Sequence, residues 1–143
     1  MNDTVMVRCP GCGAKNKVLA GKIESGPRCG RCGTGLSIPR RAIEIAETDF
    51  EREVLQETIP TAVDFWAPWC GPCKKMAPVL ESVASGYPGR VKVVKVNSDR
   101  NQALAARYGI QGIPTLILFR DGREVDRLVG AASRDQIVRF LGF

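Results

Sequence analysis

The six cysteines of this 143-residue chain constrain it more than any other feature, because all fall into three C-x-x-C pairs: Cys9/Cys12, Cys29/Cys32 and Cys70/Cys73. In a secreted chain such a count favours a disulfide framework, whereas in a reducing cytoplasm it favours metal binding or redox catalysis. The N-terminus has no apolar signal-peptide core, and no apolar run approaches the ~20 residues of a membrane span. We therefore expect a cytoplasmic protein whose cysteine pairs hold a metal or carry out redox chemistry.

The distribution of charge divides the chain into two parts. Residues 1–41 contain eight basic and two acidic residues, whereas residues 42–143 contain thirteen of each sign, so the net charge of +6 lies in the first part. Histidine is absent, which excludes His-based acid–base chemistry, Cys–His nucleophile pairs and mixed Cys/His metal sites. We predict a basic module over residues 1–40 and a neutral domain over residues 41–143, with the boundary near Pro39 and the two arginines that follow it.

The first four cysteines predict a metal site. Sixteen residues separate Cys12 from Cys29, which matches the C-x2-C-x15–20-C-x2-C spacing of a zinc ribbon, and both sulfurs of such a pair can reach one ion. A segment of about 40 residues also has too small a core to fold alone, so a metal would supply folding free energy. We predict one zinc ion, structural or redox-responsive, held by Cys9, Cys12, Cys29 and Cys32. Two structural disulfides or a second dithiol redox pair remain alternatives.

The basic charge of this module raises the question of nucleic acid binding. Four thiolates on Zn²⁺ would reduce the module's charge to about +4. The first 41 residues contain no aromatic side chain that could stack on a base. We therefore expect no nucleic acid partner and interpret the charge as a solvated surface.

The remainder of the chain has the pattern of an alternating α/β domain with a mixed sheet and helices on both faces. The spacing of Thr48 and Glu51 predicts a capping box that opens the first helix, and Asp121-Gly122 predicts a hairpin turn. Predicted strands are 42–46, 61–67, 91–96, 115–119 and 124–129, and predicted helices are 48–58, 70–85 (kinked at Pro78), 101–108 and 133–141. In the N-terminal module, 17–19 and 36–38 are expected to pair as short strands.

The third cysteine pair follows the buried strand directly and opens a helix. There the unpaired backbone amides and the helix dipole favour an anion, so the pKa of Cys70 should fall below the usual value of about 8.5. Cys70 is therefore predicted to be the nucleophile and Cys73, one turn later and more buried, the resolving thiol. Pro72 stiffens the loop between them. A further metal knuckle is disfavoured, because the other four thiols already satisfy one zinc ion.

The segment Val63-Asp64-Phe65-Trp66-Ala67-Pro68-Trp69-Cys70-Gly71-Pro72-Cys73-Lys74 resembles the active-site strand and loop of the thioredoxin family. The resemblance covers residues 42–143, and the four-cysteine extension is similar to that of the zinc-containing bacterial type (thioredoxin 2). It implies a thioredoxin fold and a thiol–disulfide oxidoreductase that reduces protein disulfides, recharged by thioredoxin reductase. Its expected role is cell redox homeostasis and oxidative-stress defence. A zinc-dependent redox sensor and a non-catalytic docking module on the same scaffold are the alternatives.

Asp64 is an acid inside an apolar strand, a position that is unfavourable unless the carboxyl group is paired or functional. Burial should raise its pKa and make it a proton acceptor for Cys73. The resemblance implies the same role, and Lys95 matches a lysine that lies near this acid in the family. A purely structural role for Asp64 stays open.

The resemblance also implies a substrate site. Gly112-Ile113-Pro114-Thr115 matches the family segment in which the proline is cis and faces the dithiol. By that match Ile113 and Pro114 bind the substrate chain as an added strand. From the residues alone, Pro114 could equally be a loop stop. Trp69, Gly71, Pro72 and Gly130 are expected to complete the apolar groove.

Overall fold

The computed structural model describes residues 4–143, which form a two-stranded sheet followed by a five-stranded mixed sheet with helices. The strands are β1 (Thr4–Arg8), β2 (Lys15–Leu19), β3 (Ile43–Glu44), β4 (Thr61–Trp66), β5 (Lys92–Asn97), β6 (Thr115–Arg120) and β7 (Arg123–Val129). The α-helices are α1 (Gly71–Gly86), α2 (Gln102–Arg107) and α3 (Arg134–Phe140). Within the described residues, no helix has the length and apolar character required to cross a membrane.

The central strand of the large sheet is β4. The strand order is β3-β5-β4-β6-β7, in which β4 runs parallel to β5 and antiparallel to β6. Because successive side chains point to opposite faces of a sheet, the apolar residues of β4 and β6 supply two cores. Ala62 and Leu116 pack with α1 and α3 on one face, whereas Phe65 and Ile117 pack with α2 on the other. The predicted mixed sheet with helices on both faces is confirmed.

The longest helix, α1, begins immediately after the active-site strand and turn. Cys70 occupies its N-cap position and Pro72 lies in the first turn, where a missing N–H costs no intrahelical bond. Pro78 lies inside the helix, as the sequence predicts. The residues facing the sheet recur every three or four positions: Cys73, Met76, Leu80, Val83 and Ala84. This spacing anchors the dithiol end of the helix to the core.

The helix predicted over 48–58 is wrong. The chain instead forms a 3₁₀ turn (Glu47–Asp49) and a π-helical turn (Glu51–Leu55), and the capping carboxylate belongs to Asp49, which accepts a hydrogen bond from the Ala46 N–H at 3.2 Å. The Gln56 N–H donates to the Glu51 carbonyl oxygen at 2.9 Å, five residues back. The buried Lys92 Nζ donates to the Glu53 carbonyl oxygen at 2.8 Å. That carbonyl is therefore engaged by a side chain from another element, a long-range contact that local periodicity does not reveal.

The strand pairing predicted in the N-terminal module is half wrong. Residues 17–19 lie in β2, but β2 pairs antiparallel with β1 rather than with 36–38. The alternation of β1 buries Val5 and Val7, which form a small core with Val18 and Ile23. Residues 36–38 form no strand; Leu36 and Ile38 cover that core as partly buried side chains.

The N-terminal module packs against the end of the large sheet at which β4 begins. Thr58 Oγ1 donates to the Met6 carbonyl oxygen at 2.7 Å, and Arg8 Nε donates to the Gln56 carbonyl oxygen at 3.3 Å. A Cβ atom added at Gly89 would lie 2.9 Å from Ile23 Cδ1, so the turn carrying Gly89 also approaches the module closely. The dithiol follows the other end of β4, and the module therefore lies away from it.

The last helix is short but capped at its start. Ser133 Oγ accepts from the Gln136 N–H at 3.2 Å while the Gln136 side chain accepts from the Ser133 N–H at 2.8 Å, which is a capping box. Ile137 and Leu141 are buried, and the Phe143 ring stacks on Tyr87 with centroids 4.6 Å apart. These contacts attach the C-terminal end of the chain to the end of α1.

Candidate active site and metal site

The candidate active site is the disulfide between Cys70 and Cys73, whose Cα atoms are 5.3 Å apart. Both residues are buried, with 4% of Cys70 and 3% of Cys73 exposed. The difference in burial that the sequence predicts between the nucleophile and the resolving thiol is therefore small. The Cys73 N–H points at Cys70 Sγ from 3.2 Å. When the bond is reduced, this amide and the helix dipole favour the thiolate at Cys70, which is what a nucleophilic cysteine requires.

A second chain segment passes directly beside the disulfide. The Ile113 carbonyl oxygen lies 3.9 Å from Cys70 Sγ, and the Ile113–Pro114 peptide bond is cis. The Gly130 N–H donates to the Pro114 carbonyl oxygen at 2.8 Å, which places Gly130 next to this segment. Ile113, Pro114 and Gly130, which the resemblance assigns to substrate binding, therefore lie together at the dithiol.

The surface around the disulfide is open and partly apolar. Trp69 is 71% exposed, and Gly71 and Pro72 are exposed beside it. The Trp69 indole Nε1–H donates to Asp99 Oδ2 at 2.8 Å and thereby holds the ring at the edge of a cleft of about 340 Å³. Asp99 was not predicted from the sequence, because it lies in a loop after β5 and only the fold brings it to Trp69.

Asp64 lies on β4 with no exposed surface, and neither of its carboxylate oxygens has a hydrogen-bond partner within residues 4–143. Burial raises its pKa from the ordinary 3.8 to about 7, with Lys95 opposing the rise and Glu44 adding to it. Lys95 is its register partner on β5, and the Lys95 ammonium lies 4.7 Å from the centroid of the Trp66 ring. Asp64 is thus a buried acid with a raised pKa, and Lys95 lies beside it on the adjacent strand, as the sequence indicates.

The four N-terminal cysteines converge on one point, since their sulfur atoms all lie within 4.8 Å of one another. The Sγ atoms of Cys9 and Cys32, and those of Cys12 and Cys29, are 3.6 Å apart, and all four are free thiols. Tetrahedral zinc with bonds of ~2.3 Å would place its sulfur ligands about 3.8 Å apart, so the cluster fits such an ion.

Backbone amides surround the same cluster. The N–H groups of Gly11 and Cys12 point at Cys9 Sγ from 3.3 and 3.4 Å, and the Arg31 N–H points at Cys29 Sγ from 3.4 Å. Hydrogen bonds from the Cys32 and Arg31 backbones lower the pKa of the Cys29 thiol. Amides of this kind stabilise thiolates, the form of cysteine that binds metal. The donor set and its surroundings are therefore able to hold a metal ion.

Comparison with known proteins places most of the chain in one family. The family model described as Thioredoxin matches residues 41–142. Thioredoxin 1 of Synechococcus elongatus is 49% identical over 100 residues, which cover 70% of this chain and 94% of that protein. Thioredoxin of Pseudomonas aeruginosa is 48% identical over 99 residues, which cover 69% of this chain and 92% of that protein.

The solved structures include a similar protein. A point mutant of thioredoxin from Halobacterium salinarum NRC-1 superposes with a TM-score of 0.68 at 34% sequence identity, covering 73% of this chain and 91% of that one. The four-cysteine cluster precedes the part of the chain matched by the family model.

Proposed function

This chain belongs to the thioredoxin family and is a protein-disulfide oxidoreductase, and on that premise we propose that it acts as a general reductase of protein disulfides through Cys70 and Cys73. The observation that carries the proposal is the placement of the pair: Cys70 caps α1 beside the Ile113–Pro114 segment. The same surface is open enough to admit a protein substrate, because Trp69 and Pro72 are exposed next to it.

The proposed reaction transfers two electrons from the dithiol to the substrate. The Cys70 thiolate attacks one sulfur of the substrate disulfide, forms a mixed disulfide and expels the other sulfur as a thiolate. The Cys73 thiol then gives its proton to Asp64 and attacks Cys70 Sγ. The second substrate thiolate leaves, and the Cys70–Cys73 disulfide forms. An NADPH-dependent thioredoxin reductase returns two electrons and restores the dithiol.

Substrate binding is assigned to the groove beside the dithiol. The backbone of Ile113 and Pro114 would pair with an extended substrate segment as an added strand. Trp69, Gly71, Pro72 and Gly130 would contact its side chains. Such a site recognises mainly backbone, which suits a reductase with many protein substrates.

Reduction of insulin in the presence of NADPH and thioredoxin reductase tests this function. We expect turnover at micromolar protein and none for Cys70→Ser, because the attacking sulfur is lost. Cys29→Ser is the matched control: it also removes one cysteine but lies outside the dithiol domain, so it should retain turnover. No reduction of insulin by the unmodified protein would contradict the proposal.

We also propose that residues 1–40 are a zinc module in which Cys9, Cys12, Cys29 and Cys32 hold one ion. The exposure of Cys12 and Cys32 makes oxidation with metal release the second candidate function, a redox sensor. Freshly reduced protein should contain one zinc and two titratable thiols, rising to six after unfolding with a chelator. Zinc retained at peroxide doses that already inactivate the dithiol would contradict the sensor. We propose a cytoplasmic location, because a reducing compartment keeps thiols available to bind metal.

A further inference from the structure

Three charged residues form a row across adjacent strands of the large sheet. In the register of the sheet, Glu44 on β3 pairs with Lys95 on β5, and Lys95 pairs with Asp64 on β4. Their burial is graded, since Asp64 is fully buried, Lys95 is half-buried and Glu44 is exposed. The row therefore leads from the solvent-facing edge of the sheet to the interior acid, with the signs of charge alternating along it.

Glu44 is fixed in place by contacts to the strands it faces. Its Oε2 accepts a hydrogen bond from the Trp66 indole Nε1–H at 3.3 Å and one from the Asn97 N–H at 3.2 Å. The face of the same indole lies 4.7 Å from the Lys95 ammonium. Trp66 in turn packs against the apolar cluster that contains both active-site cysteines. The Glu44 carboxylate thus holds the Trp66 ring, which contacts the Lys95 ammonium and packs beside the dithiol.

We propose that Glu44 is a positioning residue for proton transfer at Asp64, because its carboxylate anchors Trp66 and shares the charge of Lys95 with the buried acid. This inference rests on the proposed role of Asp64 as proton acceptor. Glu44 and Trp66 also line a cleft of about 550 Å³ with Pro68, Asn97 and Arg100, so the row opens to solvent on this side.

The charges around Asp64 give the direction of the effect. Lys95 faces it from β5 and lowers its pKa, whereas Glu44 on β3 raises it. Its partner on β6 is the uncharged Leu116, and the titratable residue on the buried face of α1 is Cys73. Partial burial of its carboxylate raises the pKa of Glu44, and Lys95 and, more weakly, Arg100 oppose that rise. Without Glu44 the lysine would favour ionised Asp64 more strongly, and the acid would become a weaker base.

The test uses two substitutions that separate the charge of Glu44 from the length and hydrogen bonding of its side chain. Glu44→Gln removes the charge but keeps an oxygen that can accept from Trp66 and Asn97, whereas Glu44→Asp keeps the charge. Glu51→Gln is the control, because the exposed Glu51 side chain makes no hydrogen bond or ion pair within the described residues. The carboxyl carbon of Asp64 is titrated by NMR in the oxidised protein, where the active-site cysteines do not titrate.

A unit charge about 10 Å away at an effective dielectric near 20 shifts a pKa by about one unit, and the exposure of Glu44 to solvent reduces this effect. We therefore expect the pKa of Asp64 to fall by about half a unit or more in Glu44→Gln. In insulin reduction, the acid-side inflection of the rate should move to lower pH by the same amount, because Asp64 then ionises earlier. Glu44→Asp should shift both readouts less, and Glu51→Gln neither.

The outcomes distinguish this inference from the function beneath it. If Asp64→Asn slows insulin reduction but Glu44→Gln leaves both the titration and the pH profile unchanged, the inference is overturned and the role of Asp64 stands. If the titration moves in Glu44→Gln but the pH profile does not, Asp64 is not the proton acceptor, and both ideas fall. A titration and a profile that move together support the inference.

Discussion

Replacing Asp64 with asparagine should make the protein more stable, and the gain should grow with pH. The carboxyl group is fully buried without a hydrogen-bond partner among the described residues. An asparagine side chain has nearly the same shape and cannot ionise. The protonated carboxyl group of Asp64 and the amide introduced by Asp64→Asn share the burial penalty of a neutral polar group, so the pH-dependent part of the difference reports ionisation alone.

The sign and size follow from the pKa of Asp64, which burial raises from 3.8 to about 7. Between these values the folded state binds more protons than the unfolded state, so the wild-type protein loses stability as pH rises. At about 1.4 kcal/mol per pH unit, the full loss is about 4 kcal/mol, of which more than half falls between pH 5 and pH 8. The loss is absent below about pH 4 and nearly complete above about pH 7.

Urea denaturation of the oxidised proteins at pH 5, 6, 7, 8 and 9 would measure this. The difference in unfolding free energy between Asp64→Asn and wild type should increase with pH and become constant above about pH 8. Asp135→Asn, at an exposed position of α3, is the control and should show no such increase. Comparison at the same pH cancels other titrations, including those at the N-terminal thiols. A difference that is constant with pH would refute the reasoning.

Three further outcomes are expected, two from urea denaturation and one from proteolysis. Lys92→Met should destabilise the protein by about 3 kcal/mol, because the buried Lys92 Nζ (5% side-chain exposure) lies 2.7 Å from the Glu53 carboxylate and 2.9 Å from that of Glu57. Arg52→Met is the control: its side chain is 69% exposed, so stability should change by less than about 0.5 kcal/mol. Gly122→Ala should cost at least about 2 kcal/mol because φ is 76° and the new Cβ would lie 2.8 Å from the Leu55 carbonyl oxygen. Gly142→Ala, at φ 85° with no atom of the described residues within 4 Å of the new Cβ, should cost about 1 kcal/mol. A chelator should expose residues 4–41 to trypsin while insulin reduction continues, because this module buries only four apolar side chains in its own core; protection that persists after metal removal would contradict this.

The parts of the protein that could be predicted from the sequence are those encoded locally. Cys70 and Cys73 lie within one loop, and the apolar run of β4 with the helical spacing after it places them at a strand–helix junction. The four N-terminal cysteines have a spacing that few sites other than a metal ribbon share. Within each C-x-x-C pair, neighbouring residues determine the geometry, and the spacing between the two N-terminal pairs already indicated that they meet.

The parts that could not be predicted depend on partners far away in the sequence. The π-helical turn is held by Lys92, which follows it by some forty residues, and a capping-box spacing carries no trace of that contact. Glu44 looks like an ordinary exposed acid beside the domain boundary, and Asp99 like an ordinary loop residue. Each acquires its role only when the strand order places it beside a tryptophan.

The positions of these groups explain how one small sheet can carry the dithiol at one end and contact the N-terminal module at the other. β4 carries Asp64 in its middle and leads into Cys70 at its C-terminal end, while β5 brings Lys95 and β6 begins directly after Pro114. The segment before β4 instead receives the N-terminal module through Thr58 and Met6. A strand of six residues spans roughly 17 Å between these ends. Unfolding of the module would release contacts at one end, whereas the contacts that hold the acid and the dithiol lie within the large sheet and α1.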